Sequence, residues 1–167
     1  IKQIYMLTDE GTINRDKIIG IGIGMHGIVD HNKGVALFAP NLNLKNIPLK
    51  DRIEAEFQIP VKVENDVRAM AVGEHWFGNG VGIEDMICLN VGYGIGAGII
   101  MKNQLFRGQH GIAGEIGHTV IDFDGLRCSC GNYGCLQTVA AHDGLKHAAT
   151  KEIILGRKTF ITELVRG

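Results

Sequence analysis

Four side chains with metal-binding chemistry lie close together in the second half of the chain. They are His118, Cys128, Cys130 and Cys135, in the pattern H-x9-C-x-C-x4-C. Three thiolates and one imidazole make the closed tetrahedral donor set of a structural zinc site, with no position left open for a catalytic water. The stretch from Asp122 to Gly134 carries few apolar residues. It has no core of its own to fold around, so a bound metal would supply the order that burial does not. Gly131 and Gly134 let the chain turn back between ligands. The alternatives are free thiols, or a Cys128–Cys130 disulfide closing a very short and strained loop. Cys88, the fourth cysteine, stands alone in an apolar run. A disulfide framework spreads its cysteines, so a metal site in a reducing cytoplasm is the expectation.

Three further groups have types and spacing that suit ligand chemistry. Asn65-Asp66 falls between a strand-like and a helix-like segment. A carboxylate there can project from the carboxyl edge of a sheet, where α/β proteins bind ligands. It can then take a proton from a substrate hydroxyl. Asn and Asp are also the preferred helix N-caps, which would need no ligand. The run Val91-Gly92-Tyr93-Gly94-Ile95-Gly96-Ala97-Gly98 lies between two apolar segments. Its alternate glycines can expose backbone N–H groups to a phosphate, with Gly92, Gly94 and Gly96 as the candidates. No helix follows, so this is not a dinucleotide fingerprint, and a closely packed hairpin is the plain alternative. Glu115 precedes His118 by three residues, and in a helical turn both face one side. Glu115 can then accept hydrogen bonds from a polyol, or it is an ordinary surface carboxylate. His26, His31, His75, His110, His142 and His147 have no ligand-like spacing and read as surface or satisfied histidines.

These groups need a scaffold. Lys17 to Gly24 alternates Ile with Gly and predicts a buried strand, followed by a turn and a short strand to Asp30. Pro40 to Asn43 reads as a loop. Leu49, Ile53 and Phe57 give one apolar helix face after Pro48. Pro60 to Glu64 alternates as a strand, Val67 to Phe77 as a helix, and Asp85 to Val91 and Ala97 to Met101 as buried strands. Lys102-Asn103 predicts a hairpin tip, His118 to Asp122 a short strand, and residues 135–166 a mainly helical stretch broken near Gly156. Strands interleaved with helices give an α/β class, and the hairpin makes the sheet mixed.

Composition narrows the function classes. The chain has 167 residues, 45% of them hydrophobic and 21% charged, which excludes intrinsic disorder and a coiled coil. There are 17 Lys+Arg against 18 Asp+Glu, so no basic stripe marks a nucleic-acid surface. No apolar stretch approaches the roughly 20 residues that span a bilayer. The 24 glycines, about twice the usual share, suit backbone that approaches a ligand closely.

Taken together, the motifs resemble the ROK family, which groups sugar-responsive repressors, open reading frames and sugar kinases. The matching pieces are Gly20-Ile21-Gly22-Ile23-Gly24 with Gly27-Ile28-Val29-Asp30, Glu64-Asn65-Asp66-Val67, the glycine run from Gly92 to Gly98, Gly108 to His118, and Cys128 to Leu136. The likeness covers residues 17–145 as the sugar-binding core, with the zinc loop at 118–135 inside it. Residues 1–16 form a lead-in and 146–167 a C-terminal helical segment. The resemblance implies an actin-like, ribonuclease-H-like ATPase-domain architecture, present here only in part. It implies a sugar pocket lined by Asn41, Asn65, Asp66, Glu115 and His118. It also implies zinc held by His118, Cys128, Cys130 and Cys135, which fixes His118 against the sugar. In family kinases the residue matching Asp66 is the general base that activates a sugar hydroxyl toward ATP.

Three departures separate this chain from those kinases. Their N-terminal phosphate segment of Asp-x-Gly-Gly-Thr type is absent here. Tyr93 stands where they usually carry Thr. Gln137 stands where the family usually has a Glu that contacts the sugar, and Gln keeps hydrogen bonding without the charge. The runs Asp66 to Gly78 and Arg127 to Leu136 look more like the repressor branch of xylose or N-acetylglucosamine type. The expectation is therefore an effector domain that binds a monosaccharide or phosphosugar. DNA would be bound by a helix-turn-helix outside this chain, with assembly as a homodimer or higher homo-oligomer and no membrane partner. The alternative is a fragment of a sugar kinase using ATP and Mg, with Asp66 catalytic. A weaker third reading is a remnant domain retained for dimerisation.

Overall fold

The computed structural model describes residues 4–6, 14–39 and 42–164. Asn41, expected among the sugar contacts, lies outside the described residues. The described chain forms two compact units. One comprises the described residues up to Cys88 together with Gly98–Ala113. The other comprises Leu89–Ala97 and the described residues from Gly114 onward.

In the first unit, β1 (Ile21–Met25) pairs in parallel with β5 (Val61–Asn65), from Ile21 opposite Val61 to Met25 opposite Asn65. Between them in sequence come β2 (Ile28–Asp30), β3 (Val35–Ala39) and β4 (Leu44–Pro48), an antiparallel meander with a bulge between Ile28 and Val29. Sequence periodicity gives no warning of β3 and β4, because their exposed and buried positions do not alternate cleanly. The expected amphipathic helix forms as α1 (Leu49–Phe57), which buries Ile53 and Phe57. Gln58 ends it in the left-handed region at φ 54°, and its N–H bonds the Glu54 carbonyl. The side chain of Glu54 then accepts from Val61 N at 2.8 Å and fixes the start of β5. Met25, Val29, Ala36, Ala39, Phe57, Val61 and Val63 sit at the centre of the core, each 7% exposed or less. Burying one such side chain contributes roughly 1.5–3 kcal/mol. Helix α2 (Asp66–Phe77) follows β5 directly and packs on β1 and β5.

A third sheet has the order β6 (Met86–Val91), β7 (Ile95–Met101), β8 (Gln104–Phe106). The predicted hairpin tip is present: Lys102 and Asn103 both have positive φ, and Met101 faces Gln104 across the antiparallel β7–β8 pair. Among the described residues, parallel and antiparallel pairings thus occur together, distributed over three sheets.

In the second unit the expected strand from His118 to Asp122 does not form. Ile116–His118 is instead a 3-10 turn, and the following loop carries isolated bridges, Val120 to Cys135 and Arg127 to Tyr133. The loop to Cys135 spends its hydrogen bonds on itself, which leaves no partner strand for a ladder. Ile121 N and Asp122 N both donate to the Gly134 carbonyl, Gly134 N to Leu126 O, and Cys128 N to Asn132 O. Gly134 has φ +64°, and a Cβ there would lie 1.4 Å from Asp122 O, so only glycine closes this turn. Helices α3 (Leu136–Ala140), α4 (His142–Ile154) and α5 (Phe160–Leu164) follow, with the predicted break at Gly156, φ +80°.

Candidate functional site

His118, Cys128, Cys130 and Cys135 come together although 17 positions separate the first from the last. The 3-10 turn presents His118, the self-bonded loop presents Cys128 and Cys130, and Cys135 is the N-cap residue of α3. All four cysteines are free thiols, so no disulfide closes the loop. The four ligand atoms lie within 4.8 Å of one another. Cys130 Sγ and Cys135 Sγ are 3.7 Å apart, and Cys128 Sγ and His118 Nδ1 are 3.5 Å apart. A tetrahedral zinc with bonds of about 2.3 Å to sulfur and about 2.0–2.1 Å to nitrogen places its donors about 3.5–3.8 Å apart. The donor set and its spacing therefore fit such an ion.

Burial by itself pushes both inner thiols up. At Cys128 it is outweighed by hydrogen bonds from the Cys130 backbone and from the Cys130, His118 and Cys135 side chains, which bring the thiol down to about 6. Cys135 is fully buried; burial and the neighbouring sulfurs push it up to about 12. One sulfur thus ionises near neutrality and offers a thiolate to an incoming cation.

His118 turns Nδ1 to the sulfurs and leaves Nε2 on the side of Glu115, whose Oε2 is 3.9 Å away. The expected proximity of these two residues is therefore present, produced by a 3-10 turn. Gly114 holds the turn against the start of β7. It has φ +89°, Ala97 N donates to its carbonyl at 2.7 Å, and a Cβ would lie 1.8 Å from Ala97 O.

Gln137 donates its side-chain NH2 to Cys128 Sγ at 3.2 Å and to Ser129 Oγ at 3.4 Å. Gly92 and Gly94 form the turn between β6 and β7, and Gly96 lies inside β7. The Gly92 N–H donates to the Gly94 carbonyl, and the Gly92 carbonyl accepts from His142 N. The Tyr93 ring lies against His142 with centroids 5.0 Å apart.

In the first unit, Asn65 is the N-cap of α2. Its Oδ1 accepts from Val67 N and Arg68 N at 3.0 and 3.1 Å, and its Nδ2 donates to Gly27 O at 3.1 Å. The capping alternative thus holds for Asn65, which is 8% exposed. Asn65→Ala removes the cap and the tie to Gly27, and is expected to lower the unfolding free energy by about 1–2 kcal/mol in denaturant titration. Asp66, next in the chain, stands at the carboxyl ends of β1 and β5 with its side chain 45% exposed. A negative charge is favoured there by the N-terminus of α2. His26 Nδ1 is 3.9 Å from Asp66 Oδ2, a neighbour that spacing did not reveal.

Sequence reading also missed a polar cluster behind this site. Glu64 Oε1 accepts from Asn65 N and Arg68 Nε at 2.9 Å each, and Oε2 accepts from Arg107 Nε at 2.7 Å. Arg68, 2% exposed, donates onward to Gly111 O at 2.5 Å. The one available signal was the Glu64 to Arg68 spacing of four, hidden because the strand ends between them.

The chain is an α/β fold with a Cys3His cluster and with Asn-Asp at the end of parallel strands, and the solved structures it resembles are ROK family regulators and sugar kinases. The chain belongs to the ROK family, whose model, described as "ROK family", matches residues 1–165. It is 47% identical over 139 residues to the xylose repressor of Caldicellulosiruptor bescii, covering 83% of this chain and 35% of that protein. A crystal structure of a ROK family transcriptional regulator, a homolog of the E. coli MLC protein, matches with TM-score 0.85 and 34% identity over 96% of this chain and 40% of that one. A ROK family glucokinase from Streptomyces griseus, in complex with glucose and AMPPNP, matches with TM-score 0.74 and 44% identity over 80% of this chain and 43% of that one. The chain thus spans well under half the length of these relatives. No helix among the described residues is long and apolar enough to cross a membrane.

Proposed function

We propose that this chain is the sugar-binding effector domain of a ROK-type transcriptional regulator, with its DNA-binding helix-turn-helix outside the present sequence. The carrying observation is the glycine turn. Tyr93 lies against His142 where family kinases carry a small hydroxyl residue, and the Gly92 N–H is engaged within the turn. A phosphate cradle needs free N–H groups and room for the anion to approach. A regulator needs neither.

The effector is a monosaccharide or phosphosugar, with xylose, glucose and N-acetylglucosamine the first to test. Asn41, Asn65, Asp66, Glu115 and His118 contact it, joined by Gln137 through its carboxamide oxygen. Zinc on His118 Nδ1, Cys128, Cys130 and Cys135 is structural and holds the imidazole with Nε2 toward Glu115. In this reading the protein works in the cytoplasm as a homodimer or higher homo-oligomer. Sugar shifts the dimer between states only by its differential affinity for them.

A kinase reading keeps one observation in its favour: the half-exposed Asp66 carboxylate at the strand ends. In that reading Asp66 takes the proton of a sugar hydroxyl that attacks the γ-phosphate of MgATP, with Gly92, Gly94 and Gly96 near the phosphates. A sugar panel on the full-length protein separates the two. Saturating effector at 100 times its Kd should stabilise the protein by about 2.7 kcal/mol, with no ATP consumed in a coupled assay. Asp66→Asn should abolish the sugar-induced shift in melting temperature. ATP turnover that disappears in Asp66→Asn would overturn the regulator in favour of the kinase.

A further inference from the structure

We infer that Gln137 is a positioning residue of the Cys3His centre, holding the Cys128 sulfur through its side-chain NH2; this rests on the metal reading of the site. The contact is 3.2 Å from Nε2 to Sγ, and the same NH2 group reaches Ser129 Oγ at 3.4 Å. The carboxamide faces the sulfur with its nitrogen, the only end of the group that can donate a hydrogen bond. Gln137 stands two residues after Cys135, in the first turn of α3. It therefore reaches from the last ligand back to Cys128, and its hydrogen bond closes the ligand loop a second time.

Three thiolates around a divalent ion leave a net negative charge on the centre. A donor to one sulfur draws off part of that charge and fixes the sulfur's orientation, as outer-shell partners of metal ligands do. A carboxylate cannot serve, because at neutral pH it has no proton to donate and adds a negative charge beside the sulfur. Where the family resemblance expects Glu, this chain has the one residue of that shape that can face both ways: NH2 toward sulfur, and oxygen toward Gly94, where a Cβ would come within 3.6 Å of it.

The test compares wild type, Gln137→Met and Gln137→Glu in the full-length protein. Zinc transfer to a chromogenic chelator and the absorption of the cobalt-substituted centre are measured. Both variants should release zinc about 10–100-fold more readily, and the sulfur-to-cobalt charge-transfer band should move to lower energy as the thiolate loses its donor. A side chain that only packs would not move that band. Ser129→Ala, which leaves the amide on the sulfur, should keep the wild-type band. Zinc release and a cobalt spectrum unchanged in Gln137→Met would overturn the inference while leaving the metal site intact. A wild type that takes up neither zinc nor cobalt would overturn both. Should Gln137→Met fail to fold, Gln137→Glu carries the test with the residue expected at this position in the family.

Discussion

With zinc at the Cys3His cluster as proposed, chelation is expected to release residues 118–135 from their fixed conformation and leave the core around Met25, Val29, Phe57 and Val63 intact. The loop cannot hold itself by burial, since Phe123 is 91% exposed and Tyr133 57%. What remains without a metal is a set of backbone hydrogen bonds around Gly134 and Cys128, each contributing about 0.5–1.5 kcal/mol net. A structural zinc in a sulfur-rich set contributes on the order of 10 kcal/mol. Cys135→Ser should reproduce the effect of chelation, because Cys135 is fully buried and anchors both the Val120 bridge and the start of α3. Amide exchange before and after chelation reads this out segment by segment. Protection across 118–135 that survives complete zinc removal would show that the loop is ordered by the chain alone. Acid should act in the same direction, since protons compete with the metal for thiolates and imidazole.

Glu64→Leu should be the most destabilising single change in the first unit, at about 3–5 kcal/mol. It leaves the Arg68 guanidinium buried, still donating to the Gly111 carbonyl but without its carboxylate, and removes the partner of Arg107. The double variant Glu64→Leu/Arg68→Met removes the stranded charge together with its partner and should recover part of the loss, which a double-mutant cycle would quantify. A double variant whose loss equals the sum of the separate Glu64→Leu and Arg68→Met losses would show that the pair is not coupled. The same cluster sets an acid limit. Burial alone would raise the Glu64 pKa, but the Asn65 N–H, Arg107 and Arg68 together hold it below the ordinary 4.5. A carboxyl depressed in the fold contributes stability that is fully present above its unfolded value and lost as pH falls through its folded one. Wild type and Glu64→Gln should therefore differ by a constant amount at neutral pH, and converge only below about 4.5.

The donor set at His118, Cys128, Cys130 and Cys135 was legible from residue types and spacing, because soft ligands clustered in an apolar-poor loop have few other uses. So were α1, α2, the Lys102-Asn103 hairpin and the parallel strand before Asn65, since each is written in local periodicity or turn chemistry. Strands β3 and β4 were not, because a meander packed unevenly against one helix has no regular alternation to read. The strand expected after His118 was displaced by a loop that bonds to itself.

Local chemistry, then, decided that this chain carries a metal-type cluster, an Asn-Asp at a strand end and a glycine turn. Only the folded chain decided how each is used. Asn65 caps α2, Glu64 gathers two arginines, Tyr93 leans on His142, and Gln137 turns its amide to a sulfur. Such choices depend on which groups burial brings within hydrogen-bond reach, and contacts between residues as far apart as Glu64 and Arg107 leave no trace in spacing.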